Sequence, residues 1–118
     1  MKYMLLIIGD EKTMLSAVQV DNTGMSAEYA AYNEALAKAG AIRGGERLRP
    51  SSASTTVKVR DGKAVVLAGP YAETQEQLGG YYTIEAETLD EAIEWAAKCP
   101  AAQYGTIEVR PIWPTGRE

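Results

Sequence analysis

Residues Lys2–Ile8 read KYMLLII, a run that is apolar at nearly every position. A strand with one wet face alternates apolar and polar residues, because successive side chains point to opposite sides of the sheet. A continuous apolar run needs cover on both faces. The strand over Lys2–Ile8 is therefore expected at the centre of a sheet, with something packed above it and something packed below. Immediately after it, GDEKT breaks the pattern, and Asp10 to Gly24 reads as a polar loop.

The first helical periodicity follows. Met25, Tyr29, Tyr32, Leu36 and Ala39 recur at the spacing of one helix face, which predicts a helix over Ser26 to Ala39. Thr23 or Ser26 can cap its start, and Gly40 stands where a left-handed C-terminal residue is wanted. Ala41 to Arg49 reads as a strand, with Gly44-Gly45 marking a bulge or bend. Pro50 and SSAS interrupt it. Thr55 to Arg60 alternates, Asp61-Gly62 is a two-residue hairpin turn, and Lys63 to Ala68 is the return strand. Gly69-Pro70 ends the hairpin, and Ala72 to Leu78 is read as a short helical turn. Tyr81 to Glu85 is a strand. TLDE at 88–91 is a capping box, in which Thr88 accepts the Glu91 amide and Glu91 reaches back to the Thr88 amide. Leu89, Ile93, Ala96 and Ala97 form the expected buried stripe of a second helix, which Pro100 ends. Thr106 to Ile112 is the last strand.

Without the hairpin this order is βαββαβ, a ferredoxin-like α+β arrangement with an antiparallel sheet. Two helices cover one sheet face only, yet Lys2–Ile8 is apolar on both. A second copy packed sheet to sheet supplies the missing cover, so a homodimer is expected.

Composition removes several classes of function. The chain has 118 residues, of which 46% are hydrophobic and 24% charged. That suits one domain with a core large enough to need no disulfide or metal. With no histidine there is no Ser-His-Asp triad, Cys-His pair, histidine zinc site or histidine pH switch. A single cysteine excludes a cysteine zinc cluster and an internal disulfide. A net charge of −4 argues against nonspecific nucleic-acid binding. The apolar segment Tyr3–Ile8 is too short for a signal peptide, and nothing approaches a membrane span. A cytoplasmic location is expected, since a lone cysteine is ordinary in a reducing compartment.

Several segments carry a resemblance. AGPYAETQEQLGGYYTIEA (68–86) resembles the signature of the DGPF branch of the YCII-related proteins. LDEAIEWAAKCP (89–100) is similar to that family's second helix, GTIEVRPIW (105–113) to its last strand, and MKYMLLI and GGERLRP fit as well. The resemblance covers nearly the whole chain and implies a dimeric α/β barrel of ferredoxin-like subunits. It implies no settled activity; some members resemble neighbours of sigma factors. Other YCII-related proteins carry a His–Asp pair proposed as catalytic. Here Glu28 falls near the histidine's place, Ala68 replaces the motif's leading Asp and Tyr71 its Phe.

Among candidate groups, Glu28 falls between Tyr32 and Ala35 on the wheel, inside the apolar stripe. In a dry cleft it would have a raised pKa and serve as a general acid or base, the catalytic candidate. The plainer alternative is an acid favoured by the helix dipole. Glu108 and Arg110 share a strand face with Thr106 and Ile112, opposite Ile107, Val109 and Pro111. They either bind and orient an anionic ligand or pair across the strand or across the dimer interface. Tyr3, Tyr71, Tyr81, Tyr82 and Trp113 suit a ligand pocket or a dimer interface equally. Glu73 either caps a short helix or reaches the cleft. Cys99 reads as a small buried side chain. Arg43, Arg47 and Arg49 read as a solvated strand face beside Glu46. Gly44-Gly45 and Gly79-Gly80 lack phosphate-loop spacing. Two functions therefore stand: a protein with a cleft for a small anionic molecule, catalytic or not and requiring no cofactor, or a non-catalytic regulatory module acting on another protein.

Overall fold

The computed structural model describes residues 1–17 and 26–115, with only the backbone of 15–17. The expected roles of Thr23 and Met25 lie outside the described residues. In chain order the elements are β1 (Lys2–Gly9), α1 (Glu11–Ala17), α2 (Ala27–Lys38), β2 (Ile42–Arg47), β3 (Thr55–Arg60), β4 (Lys63–Ala68), β5 (Gln77–Glu85), α3 (Leu89–Lys98) and β6 (Thr106–Pro111). Short 3-10 turns occupy Ser51–Ala53 and Pro100–Gln103.

Four strands form one sheet in the order β2-β5-β1-β6, and every neighbouring pair is antiparallel. That order, with α2 and α3 as crossovers, is the ferredoxin-like βαββαβ arrangement. β3 and β4 form a separate two-stranded ribbon inserted between β2 and β5. Its turn needs positive φ at both central residues, and Asp61 (53°) and Gly62 (75°) supply it.

β1 lies between β5 and β6, at the centre. Its odd residues Tyr3, Leu5 and Ile7 are buried toward the helices. Cross-strand register places Ile84, Tyr82 and Gly80 of β5, and Pro111, Val109 and Ile107 of β6, on that same side. Leu5, Leu36 and Ile84 are wholly buried and mark the core's centre. The other side of β1, with Met4, Leu6 and Ile8, is only half-buried, and among the described residues no helix makes its main contacts there.

Helix α2 begins with Ser26, whose hydroxyl accepts the Tyr29 amide, and ends before Gly40 at φ 67°. Its buried stripe is Tyr32 and Leu36; Ala39 is exposed. The Tyr32 hydroxyl donates to the Trp95 carbonyl at 2.7 Å, and its ring meets Tyr82 and Trp95 edge to face. These contacts set the rotation of α3. The buried residues of α3 are Ala92 and Ala96, while Leu89 and Ile93 are about half exposed and Ala97 is exposed, which corrects the stripe expected from periodicity. Small residues let α3 approach the sheet closely, and a bulky stripe would hold it off. The Thr88 hydroxyl accepts the Glu91 amide as expected, but Glu91 reaches the Glu87 amide rather than that of Thr88.

Two further expectations change. The stretch after β1 is not all loop: α1 forms there, with Asp10 accepting the Thr13 amide. Met14 anchors it by filling the space left by Gly9 and Gly79, where a Cβ would lie 2.5 and 2.4 Å from Met14 atoms. Residues 72–78 form no helical turn. Thr74 bonds the Glu76 carbonyl, Gln77 bonds the Thr74 carbonyl, and β5 starts at Gln77. Gly79 and Gly80 thus lie within β5, because Gly80 lets β2 approach: a Cβ there would meet the Glu46 carbonyl at 2.9 Å.

Candidate functional site

The helix-covered side of the sheet does not close at the β2–β5 end. A cleft of about 560 Å³ opens there between β2, β5, α1, the start of α2 and the turn before β6. Its floor is glycine, with Gly45, Gly79 and Gly80 contributing no side chain. Its walls are aromatic: Tyr29 from α2, Tyr82 from β5, and Tyr104. Glycine at the floor and tyrosine at the walls are what make a cleft rather than a filled core.

The register of β2 decides which charges face inward. Glu46 pairs with Tyr81 and Arg47 with Gly80. Gly80 shares the helix-facing side with Tyr82 and Ile84, so Arg47 projects toward the helices and into the cleft. This corrects the reading of Arg43, Arg47 and Arg49 as one solvated face. Arg43 folds back, donating to the Gly40 and Ile42 carbonyls at 2.8 and 2.9 Å. Arg49 joins Arg47 in the lining. A bulge between Ile42 and Gly44 shifts the alternation, and strand parity read without it misplaces these side chains.

The phenols of Tyr29, Tyr82 and Tyr104 have raised pKa values. Burial, with Cys99 as a lesser cause, pushes the Tyr82 phenol up to about 12. Tyr29 is raised further, by burial first and then by Cys99, whose sulfur lies 3.8 Å from its hydroxyl. Tyr104 is also raised, by burial and then by the charge of Glu28, against an opposing pull from Arg47. Arg47 and Glu28 therefore act on Tyr104 with opposite signs. Tyr82 donates to Asn33 at 2.5 Å. Glu11 is engaged at the rim, accepting the Ser51 amide at 2.5 Å and the Ser51 hydroxyl at 2.9 Å.

Of the residues singled out from sequence, Tyr82 lines this cleft with its ring, while Tyr81 borders it but is turned to the open side by its pairing with Leu6. Glu28 is exposed and outside the lining; the apolar stripe of α2 is narrower than the wheel suggests, since Ala35 is exposed too. Tyr3 is 4% exposed and packed in the core. Tyr71 is 94% exposed, on a shallow trough beside the base of the β3–β4 ribbon, and Glu73 is exposed in the neighbouring bend. Glu108 and Arg110 lie on the open side of the sheet, opposite Leu6 and Met4, and pair with each other at 2.5 Å. Cys99 is buried, and burial raises its thiol pKa. Sequence reading missed Arg47, Arg49, Asn33 and Tyr104 as a group, because they come from three separate elements. Among the described residues no cluster of acids and cysteine is placed to hold a metal ion, and no helix is long and apolar enough to cross a membrane.

The sequence model of the YCII-related domain matches residues 1–115. An uncharacterised protein of Rhizobium meliloti (strain 1021) is 32% identical over 114 residues, which span 95% of this chain and 92% of that protein.

Proposed function

The chain belongs to the YCII-related domain family, and from that premise we propose that each subunit holds a small anionic molecule in the cleft beside β2. The placement of Arg47 carries this reading. The guanidinium enters a tyrosine-walled space over a glycine floor, the combination of apolar walls and few polar groups that ligand sites use. Glu28, near the mouth, is the group available for acid or base work there. A cytoplasmic location and no cofactor complete the proposal.

The test is calorimetric titration of small carboxylates into wild type, Arg47→Gln and Glu28→Gln. Losing one charged hydrogen-bonding partner weakens binding by roughly 10- to 100-fold in Arg47→Gln. Glu28→Gln leaves affinity unchanged or modestly stronger, because it removes a negative charge near the site. No saturable binding of any anion by wild type would sink the reading.

The dimer belongs to the same proposal. Met4, Leu6 and Ile8 form an apolar strip flanked by Tyr81, Thr83, Glu108 and Arg110, and a second sheet is its natural cover. Light scattering at micromolar concentration then gives twice the chain mass, and Leu6→Glu gives the monomer. A monomeric wild type contradicts it.

The second reading, a non-catalytic regulatory module with a sigma-factor connection, draws support from the ribbon. Val57, Val59 and Val66 share one face there, each 60% exposed. An uncovered apolar face of this kind suits contact with another protein.

A further inference from the structure

We propose that the β3–β4 ribbon is an arm that docks on the exposed flank of α3 in a second copy of this chain. This rests on the two-copy reading above and adds a second contact to it; the anion cleft plays no part.

The ribbon needs cover that its own subunit does not give. Its main contacts are between its own two strands, apart from the four-stranded sheet. A two-stranded hairpin is marginal by itself in water. Val57, Val59 and Val66, on one face, are largely exposed, and so is Leu67 on the other. The ribbon is also basic: Lys58, Arg60 and Lys63 stand against one acid, Asp61 at the turn.

The flank of α3 has the complementary character. Leu89 and Ile93, one helical turn apart, are about half exposed, and Ala97 continues the line. Asp90 and Glu94 border that line on the side away from Ala92 and Ala96, and both are exposed. Among the described residues none of Lys58, Lys63, Asp90 and Glu94 is in an ion pair, and Arg60 bonds only the adjacent Val59 carbonyl. A basic ribbon repels a like ribbon and an acidic flank repels a like flank, but each attracts the other.

The flank that fits belongs to another copy. Within one subunit the main contacts of α3 are with β6 and the 3-10 turn after the helix, not with the ribbon. β5 separates the ribbon's root from the start of α3 by nine residues, about 27 Å of strand. A second copy stacked sheet to sheet lies about 10 Å away, and six-residue strands reach about 20 Å, past the edge of that sheet toward its helices. Each ribbon makes the contact once, so the pair closes on a two-fold axis.

The experiment measures the dimer dissociation constant of the full chain by sedimentation equilibrium at neutral pH. The variants are Lys58→Glu with Arg60→Glu, Asp90→Lys with Glu94→Lys, and all four together, each checked by its melt. Each pair of reversals weakens the dimer about ten-fold, as several part-exposed ion pairs turn repulsive, and the four together return to within about three-fold of wild type. Reversal on α3 is the decisive arm, because it takes the net charge from −4 to zero, which by general repulsion alone would tighten the pair. A tighter or unchanged pair there, or no recovery in the four-fold variant, overturns the arm and leaves the sheet-to-sheet pair standing. Should a reversal disturb the fold, Val57→Ser with Val66→Ser decides instead: the dimer weakens about five-fold, and no change overturns the arm. A monomeric wild type overturns both.

Discussion

Leu5→Ala is expected to cost about 3–4 kcal/mol of folding stability, near the middle of the range for fully buried leucines. Leu5 is 0% exposed on the central strand. Its neighbours in register are Tyr82 and Val109, on the side that α2 covers with Leu36, itself 0% exposed. Both flanking strands are hydrogen-bonded to β1, so the backbone cannot close around the lost methyls, and a cavity remains. Urea denaturation reads the loss as a midpoint lower by about 2 M, for the slopes usual in small proteins. A loss below about 1 kcal/mol would mean that the site collapses freely and is not the centre of the core.

The second large effect is alkaline unfolding. The folded state raises the pKa of the Tyr29, Tyr32, Tyr82 and Tyr104 phenols and of the Cys99 thiol, with burial the leading cause in each. In the unfolded chain the phenols return to about 10. Above that pH the unfolded state holds fewer protons than the folded one, so stability falls as pH rises. The phenol contribution is whole below about pH 10 and falls from there for all four tyrosines, the fall ending near 12 for Tyr82 and at higher pH for Tyr29 and Tyr32, while the thiol contribution begins to fall from its lower free value of 9.0. Solvent at the partly exposed rings screens some of this, so roughly 2–3 kcal/mol is expected in all, or about 10 °C in the melt by pH 11. No histidine is present to titrate between pH 6 and 8, so the melting temperature is level there and drops only at alkaline pH. Circular-dichroism melts from pH 6 to 11 on wild type and Tyr29→Phe check this. The variant should lose part of the alkaline drop; an identical drop in both assigns it to other groups.

Elements that close on themselves were readable from residue order. The β3–β4 ribbon has the bounds its alternation and Asp61-Gly62 turn predict. Ser26 and Thr88 cap the helices they precede, through bonds spanning three residues. The two-sided apolar pattern of β1 placed it centrally, and β1 indeed pairs with β5 and β6. The candidate site was far less legible. Tyr82 stands out in its segment, but the helical wheel that favours Glu28 implies a broader buried face than α2 has. The direction of Arg47 depends on the bulge at Arg43, which residue order does not reveal.

Residue order by itself determined the βαββαβ course, the inserted ribbon, the caps and the absence of histidine chemistry. Each follows from a local period, a short-range hydrogen bond or composition. Tertiary structure alone decided that α1 exists, that α3 turns Ala92 and Ala96 rather than Leu89 and Ile93 inward, and that Arg47 enters a cleft. The physical reason is common to these three. α1 is pinned by Met14 against Gly9 and Gly79, α3 is oriented by Tyr32 and Trp95, and Arg47 is aimed by the pairing of β2 with β5. Each outcome is set by contacts between residues distant in the chain, whose geometry no local period encodes.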